Sequence, residues 1–266
     1  DPTMDPELAP KMDDEDDDED SGEDEVSASD DGEDDGEDDG EEDDGDAEGA
    51  AAKKAAVALS LGVGSLSDPK ELQGCAHFVE HMLFLGNKKF PGENEWATFL
   101  SDHGGEDNGE TSWETTTFYF DVEPKYLKPA LERFAAFFVA PTFDFDASER
   151  EVKAIESEFQ QAKHRDGDRV SQLRCHLCAD GHPHKGFGWG DARSLVDQPA
   201  AAGVDVRAEM HKFHESHYSA NLMTAVVVGF EGLDELQALA VDTLAPISDR
   251  DVVRPTFGGR GQPPAP

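Results

Sequence analysis

"CAHFVEHMLFLG", residues 75–86, places His77 and His81 four positions apart, with Glu80 directly before the second histidine. Gly74 and Gly86 frame the run, which is too long for one strand. Its apolar residues Cys75, Phe78, Val79, Met82, Leu83 and Leu85 fit a largely buried helix. On a helix, positions i and i+4 share a face one turn apart, so both imidazoles can point at one ion. Glu80 can then reach a water on that ion without binding the ion itself. The order H-x-x-E-H is the inverse of the commoner zinc-protease order. The competing reading is a buried helix whose histidines are satisfied by backbone or carboxylate partners. Against it, three polar side chains inside so apolar a run are costly to bury without a purpose.

A catalytic zinc takes three protein ligands and keeps one position open, so the metal reading needs a third ligand elsewhere. The stretch "DASEREVKAIESEFQQAKHR" reads as a helix with Asp146 or Ser148 as N-cap and Val152, Ile155 and Phe159 on its apolar stripe. Glu151 and Glu158 lie seven apart on that helix, two turns along one face. One carboxylate can bind an ion and the other can fix a ligand histidine. Acidic residues on a helix also mark an ordinary solvated face, and spacing alone leaves both readings open.

Around these helices, "AVALSLGVGSLSDP" alternates small and apolar residues and predicts a half-buried strand ending near Gly64. "NEWATFLSDHGG" predicts a short helix from Asn94, closed by Gly104 and Gly105. "TTTFYFDV" predicts a strand, and "EPKYLKPALERFAAFFVAPTF" an amphipathic helix stopped by Pro141. Further helices are expected at "DRVSQLRCHLCADG", "DVRAEMHKFHESHY" and "GLDELQALAVDTLAPI", with a buried strand at "LMTAVVVGF". Strands mixed with helices, without regular βαβ alternation, point to an α+β domain: a mainly antiparallel sheet with helices packed on one face. The expected organisation is a disordered acidic segment at 1–50, the domain at 51–250 and a flexible Gly/Pro-rich tail at 251–266.

Charge is divided unevenly. Of the 61 acidic residues, 28 fall within residues 1–50 beside one base, Lys11, so this fifth of the chain carries −27 of the total −39. With almost nothing apolar to bury, it cannot offset an ordering entropy of about 1–2 kcal/mol per residue. It reads either as a solubilising tail or as a collector of basic peptides and basic partners. Nucleic acid is excluded as a partner, because dense negative charge repels phosphate. Cys75, Cys175 and Cys178 form no disulfide framework, and "CHLC" lacks the second pair a zinc ribbon needs. No apolar run reaches the ~18 residues of a membrane span. A reducing, cytoplasmic setting fits these features.

Several separate stretches, in order, resemble one family: "GSLSDPKELQGCAHFVEHMLFLGNKKFPGENEWATFLSDHGG", "FDVEPKYLKPALERFAAFF" and "EREVKAIESEFQQA". From about Ala51 to Ile247 the chain resembles the N-terminal catalytic domain of the pitrilysin/insulin-degrading-enzyme family of zinc metallopeptidases. The resemblance implies one Zn2+ per chain, held by His77, His81 and Glu158. It implies Glu80 as the glutamate that activates water and Glu151 as an orienting residue. Asn108 and Gly109 would lie at the strand that pairs with substrate backbone; the family usually has Ala where this chain has the looser Gly109. Peptide substrates follow, with a preference for basic pairs suited to the −12 of the remaining 216 residues. Family members are typically several times longer, and their two halves close on the peptide. The implied partners are therefore second-half domains or a dimer mate. The other reading is a catalytically weak single domain that binds zinc and uses its acidic segment for protein binding.

Overall fold

The computed structural model describes residues 53–257. The expectations for the acidic segment 1–50, and for the tail beyond residue 257, lie outside the described residues. Residues 251–257 carry no regular secondary structure.

The alternation of "AAVALSL" makes β1 (Ala55–Leu61), with Ala55, Val57, Leu59 and Leu61 buried on one face. On the other face stand the small residues Ala56, Ala58 and Ser60, which are only half-buried. Two strands flank it in the order β2-β3-β1-β4, every neighbouring pair antiparallel. Strand β2 is Glu106–Thr111, β3 is Thr116–Val122 and β4 is Met223–Val228. In register, Val57 lies opposite Phe120 and Leu59 opposite Phe118, so the inward faces of β1 and β3 form one apolar floor.

Helices α1 (Cys75–Leu83), α2 (Glu95–Asp102), α3 (Leu127–Val139) and α4 (Phe145–Ala162) contribute to the core on that floor. After them come α5 (Asp166–His176), α6 (Gln198–Ala202, entered through a π-helical turn), α7 (Val206–His217) and α8 (Leu233–Leu244). Phe118, Phe120, Phe134, Phe137 and Phe138 are buried together, with Trp96 edge-on to Phe120 at 5.3 Å. Truncating one such phenylalanine to alanine removes about 3–5 kcal/mol. Among the described residues, no helix is long and apolar enough to cross a membrane.

The architecture is the expected α+β one, with three local corrections. The N-cap of α4 is Asp144, whose Oδ1 accepts from Ala147 N at 3.0 Å; Asp146 and Ser148 already lie inside the first turn. The strand at 223–228 is not buried: it is a sheet edge, with Val226 and Val228 more than half exposed. An apolar run cannot reveal that only one of its sides has a neighbour. The third concerns "EDNGET", which forms β2 although Gly, Asp and Asn are depleted in strands. Its pairing with β3 imposes the conformation, and a hydrogen bond from Trp96 Nε1 to Asp107 Oδ2 (2.6 Å) pins it to α2.

Candidate metal centre

Helix α1 begins where Gly74 turns with φ +90, a left-handed conformation that glycine adopts without strain. A Cβ there would collide with the backbone of Gly190, so the two glycines let the loop at 186–190 run against the helix start. The Asp68 carboxylate accepts from Gly74 N (2.7 Å) and Ala76 N (2.8 Å), satisfying donors that the first helical turn leaves open. The loop is fastened on both sides: Phe187 N donates to Gln73 Oε1 (2.9 Å), and Ala192 N to Glu156 Oε2 on α4 (2.8 Å).

This framework fixes both histidines. His77 Nδ1 donates to the backbone carbonyl of Trp189 at 2.6 Å, and His81 Nδ1 donates to Glu151 Oε2 at 3.0 Å. A carbonyl and a carboxylate only accept, so each Nδ1 carries the proton and each Nε2 presents a lone pair. The two Nε2 atoms face one another at 3.1 Å. Glu158 Oε2 closes the triangle at 3.6 Å from His77 Nε2 and 3.7 Å from His81 Nε2. Two facing lone pairs beside a carboxylate require a cation between them, either a proton or a metal. The edges are close to the ~3.3 Å expected for tetrahedral zinc at its usual N and O distances. Among the described residues, His77, His81 and Glu158 form the group whose ligand atoms all lie within 4.8 Å. The donors fit zinc.

Electrostatics differ between the two rings. Burial, aided by the charge of His81, lowers the His77 pKa to about 4 against the pull of the Trp189 carbonyl, so His77 is neutral at neutral pH. Burial acts to lower the His81 pKa too, but the Glu151 hydrogen bond and the charges of Glu80 and Glu158 outweigh it and raise the value. Glu80 stays outside the ligand triangle. Burial raises its pKa, opposed by a hydrogen bond from Thr111 Oγ1 to Oε2 at 2.6 Å and by the charge of His81. An elevated carboxylate pKa suits a general base.

The structure therefore brings together His77, Glu80, His81, Glu151 and Glu158. Gly109 joins them, its Cα lying against the Glu80 carboxylate where a Cβ could not fit. Asn108 lines the same cleft but makes no contact with the Glu80 carboxylate. Side chains alternate along β2, and Gly109 and Thr111 face Glu80, so Asn108 faces the opposite side. Its Oδ1 accepts from Gly109 N at 2.8 Å. Sequence reasoning missed Thr111 and the Trp189 carbonyl. Strand parity, had β2 been recognised, points to Thr111; a backbone carbonyl leaves no residue-type signal.

The centre opens into a cleft of roughly 1370 Å³, larger than the ~300–1,000 Å³ typical of small-molecule pockets. Asp68, Glu80, Glu110, Glu114, Glu158 and Asp168 line it, against Lys70 and Lys185.

Comparison with known proteins agrees with this geometry. The model of the family described as Insulinase (Peptidase family M16) matches residues 47–183, just over half of the chain. That of the Peptidase M16 inactive domain matches residues 205–266. The chain is 44% identical over 209 residues to a nardilysin-like protein of Arabidopsis thaliana, covering 79% of this chain and 20% of the relative. It is 45% identical over 204 residues to human insulin-degrading enzyme (77% and 20%) and 43% over 206 residues to human nardilysin (77% and 18%). These identities are too close to separate the two kinds of relative. The chain spans about one fifth of the length of these proteins. Among solved structures, pitrilysin superposes with a TM-score of 0.75 at 37% identity, covering 79% of this chain and 22% of pitrilysin. A Helicobacter pylori protease, at 19% identity and TM-score 0.65 over 77% of this chain and 48% of its own, shares the fold.

Proposed function

The chain belongs to the insulinase family, peptidase family M16, and from that premise we propose that it is the zinc-binding domain of a metalloendopeptidase. The observation that carries the reading is the pair of Nε2 lone pairs facing each other at 3.1 Å with Glu158 alongside. One Zn2+ per chain, held by His77, His81 and Glu158, supplies a Lewis acid that lowers the pKa of water from about 15.7 toward about 7. The Trp189 carbonyl and Glu151 keep the Nδ1 protons in place, so both rings offer Nε2 to the ion. Glu80 takes a proton from the attacking water and returns it to the leaving amine.

Substrate binding falls to β2, which among the described residues pairs with β3 along one side only. Its free side offers backbone donors and acceptors to an extended peptide, a sequence-tolerant mode of recognition. Asn108 and Gly109 lie on that edge. The excess of carboxylates along the cleft favours peptides with basic residues, at single or paired positions. Residues 1–50 form a separate acidic segment that attracts such peptides at long range, followed by the domain at 51–250. Free Cys75, Cys175 and Cys178 suit a reducing, cytoplasmic setting.

The test is metal analysis joined to turnover of a basic fluorogenic peptide. The reading expects about one equivalent of zinc and hydrolysis; a chain without zinc overturns it. A second reading is favoured by one observation, the one-fifth share of the relatives' length. It makes the chain a zinc-containing peptide-binding module that needs second-half domains or a dimer mate for turnover. Zinc and peptide binding without hydrolysis, with turnover restored by such a partner, selects it.

A further inference from the structure

We infer that Thr111 is a positioning residue for Glu80, tying its carboxylate to the same edge strand on which a peptide would dock. The inference rests on the reading of Glu80 as a general base. Among the described residues, Thr111 is the one hydrogen-bond partner of the Glu80 carboxylate, at 2.6 Å through Oε2. The other oxygen, Oε1, lies over Gly109 in space that any side chain would fill. The carboxylate is thus gripped by alternate residues of one strand, a hydroxyl at one oxygen and bare backbone beneath the other.

The grip is stiff for local reasons. Thr111 pairs with Thr116 in the last register position before the turn that Ser112 N closes onto Thr115 O at 2.8 Å. Its β-branched side chain has few χ1 choices. Trp96 holds the strand further back through Asp107. A register slip of one residue would present Glu110 or Ser112 in place of Thr111 and move Gly109 out from under Glu80. A peptide laid along β2 is consequently indexed to the strand that carries the base. The distance from Glu80 to the reacting carbonyl then no longer depends on play between α1 and the sheet.

The experiment compares Thr111→Val, which keeps the shape and removes the hydroxyl, with Thr111→Ser, which restores it. In the 266-residue chain, Thr111→Val is expected to lower kcat roughly tenfold, with KM and zinc content unchanged; Thr111→Ser should stay within about twofold of wild type. Unchanged kcat in Thr111→Val, a loss confined to KM, or a serine variant as poor as the valine overturns the assignment. Thermal melts give a readout independent of turnover. Thr111→Val should lower Tm in the wild-type background and leave it unchanged in the Glu80→Ala background, because the lost hydrogen bond no longer has an acceptor. Additive shifts overturn the contact. A wild-type chain that hydrolyses no peptide even with second-half domains supplied overturns the base reading, and with it the positioning role, while the melts still decide whether Thr111 holds Glu80.

Discussion

Two helices of this chain carry histidines about one turn apart, and their surroundings have diverged. On α1, His77 and His81 each have one ring nitrogen bound to an acceptor and the other aimed at a shared point, where Glu158 meets them. On α7, His211 stands edge-on to Phe143, and His214 stacks on Tyr218 with ring centroids 4.7 Å apart. His217 Nδ1 donates to its own helix at the Phe213 carbonyl, 3.0 Å away. Among the described residues, the buried His214 Nε2 has no hydrogen-bond partner. Burial above all, with the charges of Arg250 and His211, lowers its pKa to about 4. Helical spacing brings two imidazoles near one another in both places. What separates the candidate metal centre from aromatic packing is the carboxylate that arrives from another helix to meet two ring nitrogens aimed at one point.

The sharpest way to break this contrast is metal analysis of histidine variants. His77→Ala and His81→Ala should fall from about one zinc equivalent to none, whereas His214→Ala should keep it. Zinc lost from the α7 variant would show that the helices were assigned the wrong way round. Within α1, the comparison sharpens at Glu80: Glu80→Gln should retain zinc and lose about 10²–10⁴ in peptide hydrolysis. Loss of metal in that variant would make Glu80 a ligand. Glu151→Gln leaves all three ligands in place but weakens the hold on the His81 proton. Zinc affinity should drop about 10–100-fold in a chelator competition, and an unchanged affinity would remove Glu151 from the site.

His214 is tested through pH. Its folded pKa lies below the unfolded value of 6.5, so its contribution to stability is present above pH 6.5 and is lost as pH falls toward 4. That contribution is at most roughly 3 kcal/mol. Wild type should lose more stability than His214→Leu across this window in denaturant titrations, and parallel curves would deny His214 the role. The smallest effect is expected at Gly109. A Cβ there meets Oε1, Cδ and Cγ of the buried Glu80, so Gly109→Ala should push the carboxylate off Thr111 and lower Tm about as much as Thr111→Val does. A larger drop would mean that the strand backbone is at stake as well.

The sequence is most readable where one helix or strand decides the matter. The H-x-x-E-H run and the seven-residue spacing of Glu151 and Glu158 are properties of single helices, and β1 and β3 announce themselves by alternation. Legibility fails where a role depends on a distant segment. "EDNGET" becomes a strand because β3 and Trp96 hold it, and Thr111 gains its role only once that strand lies beside α1. "MTAVVV" looks like a core strand, yet among the described residues β1 is its one neighbour in the sheet. Asp144 caps α4 from a position that the polar cluster Asp144–Asp146–Ser148 does not single out.

The bond from His77 to the Trp189 carbonyl spans 112 residues of chain, and that from His81 to Glu151 spans 70. During synthesis at about 5–20 residues per second, His77 is made on the order of ten seconds before the carbonyl that will orient it. Glu151 and Glu158 follow partway through that interval, but the carbonyl that fixes the His77 tautomer comes last. Binding of a metal in the final geometry would therefore be a late event in the life of a nascent chain, coming after the polypeptide has been read past Gly190. The finished centre then works as a clasp between the chain's early and late segments, tightened by any ion that binds the folded form alone.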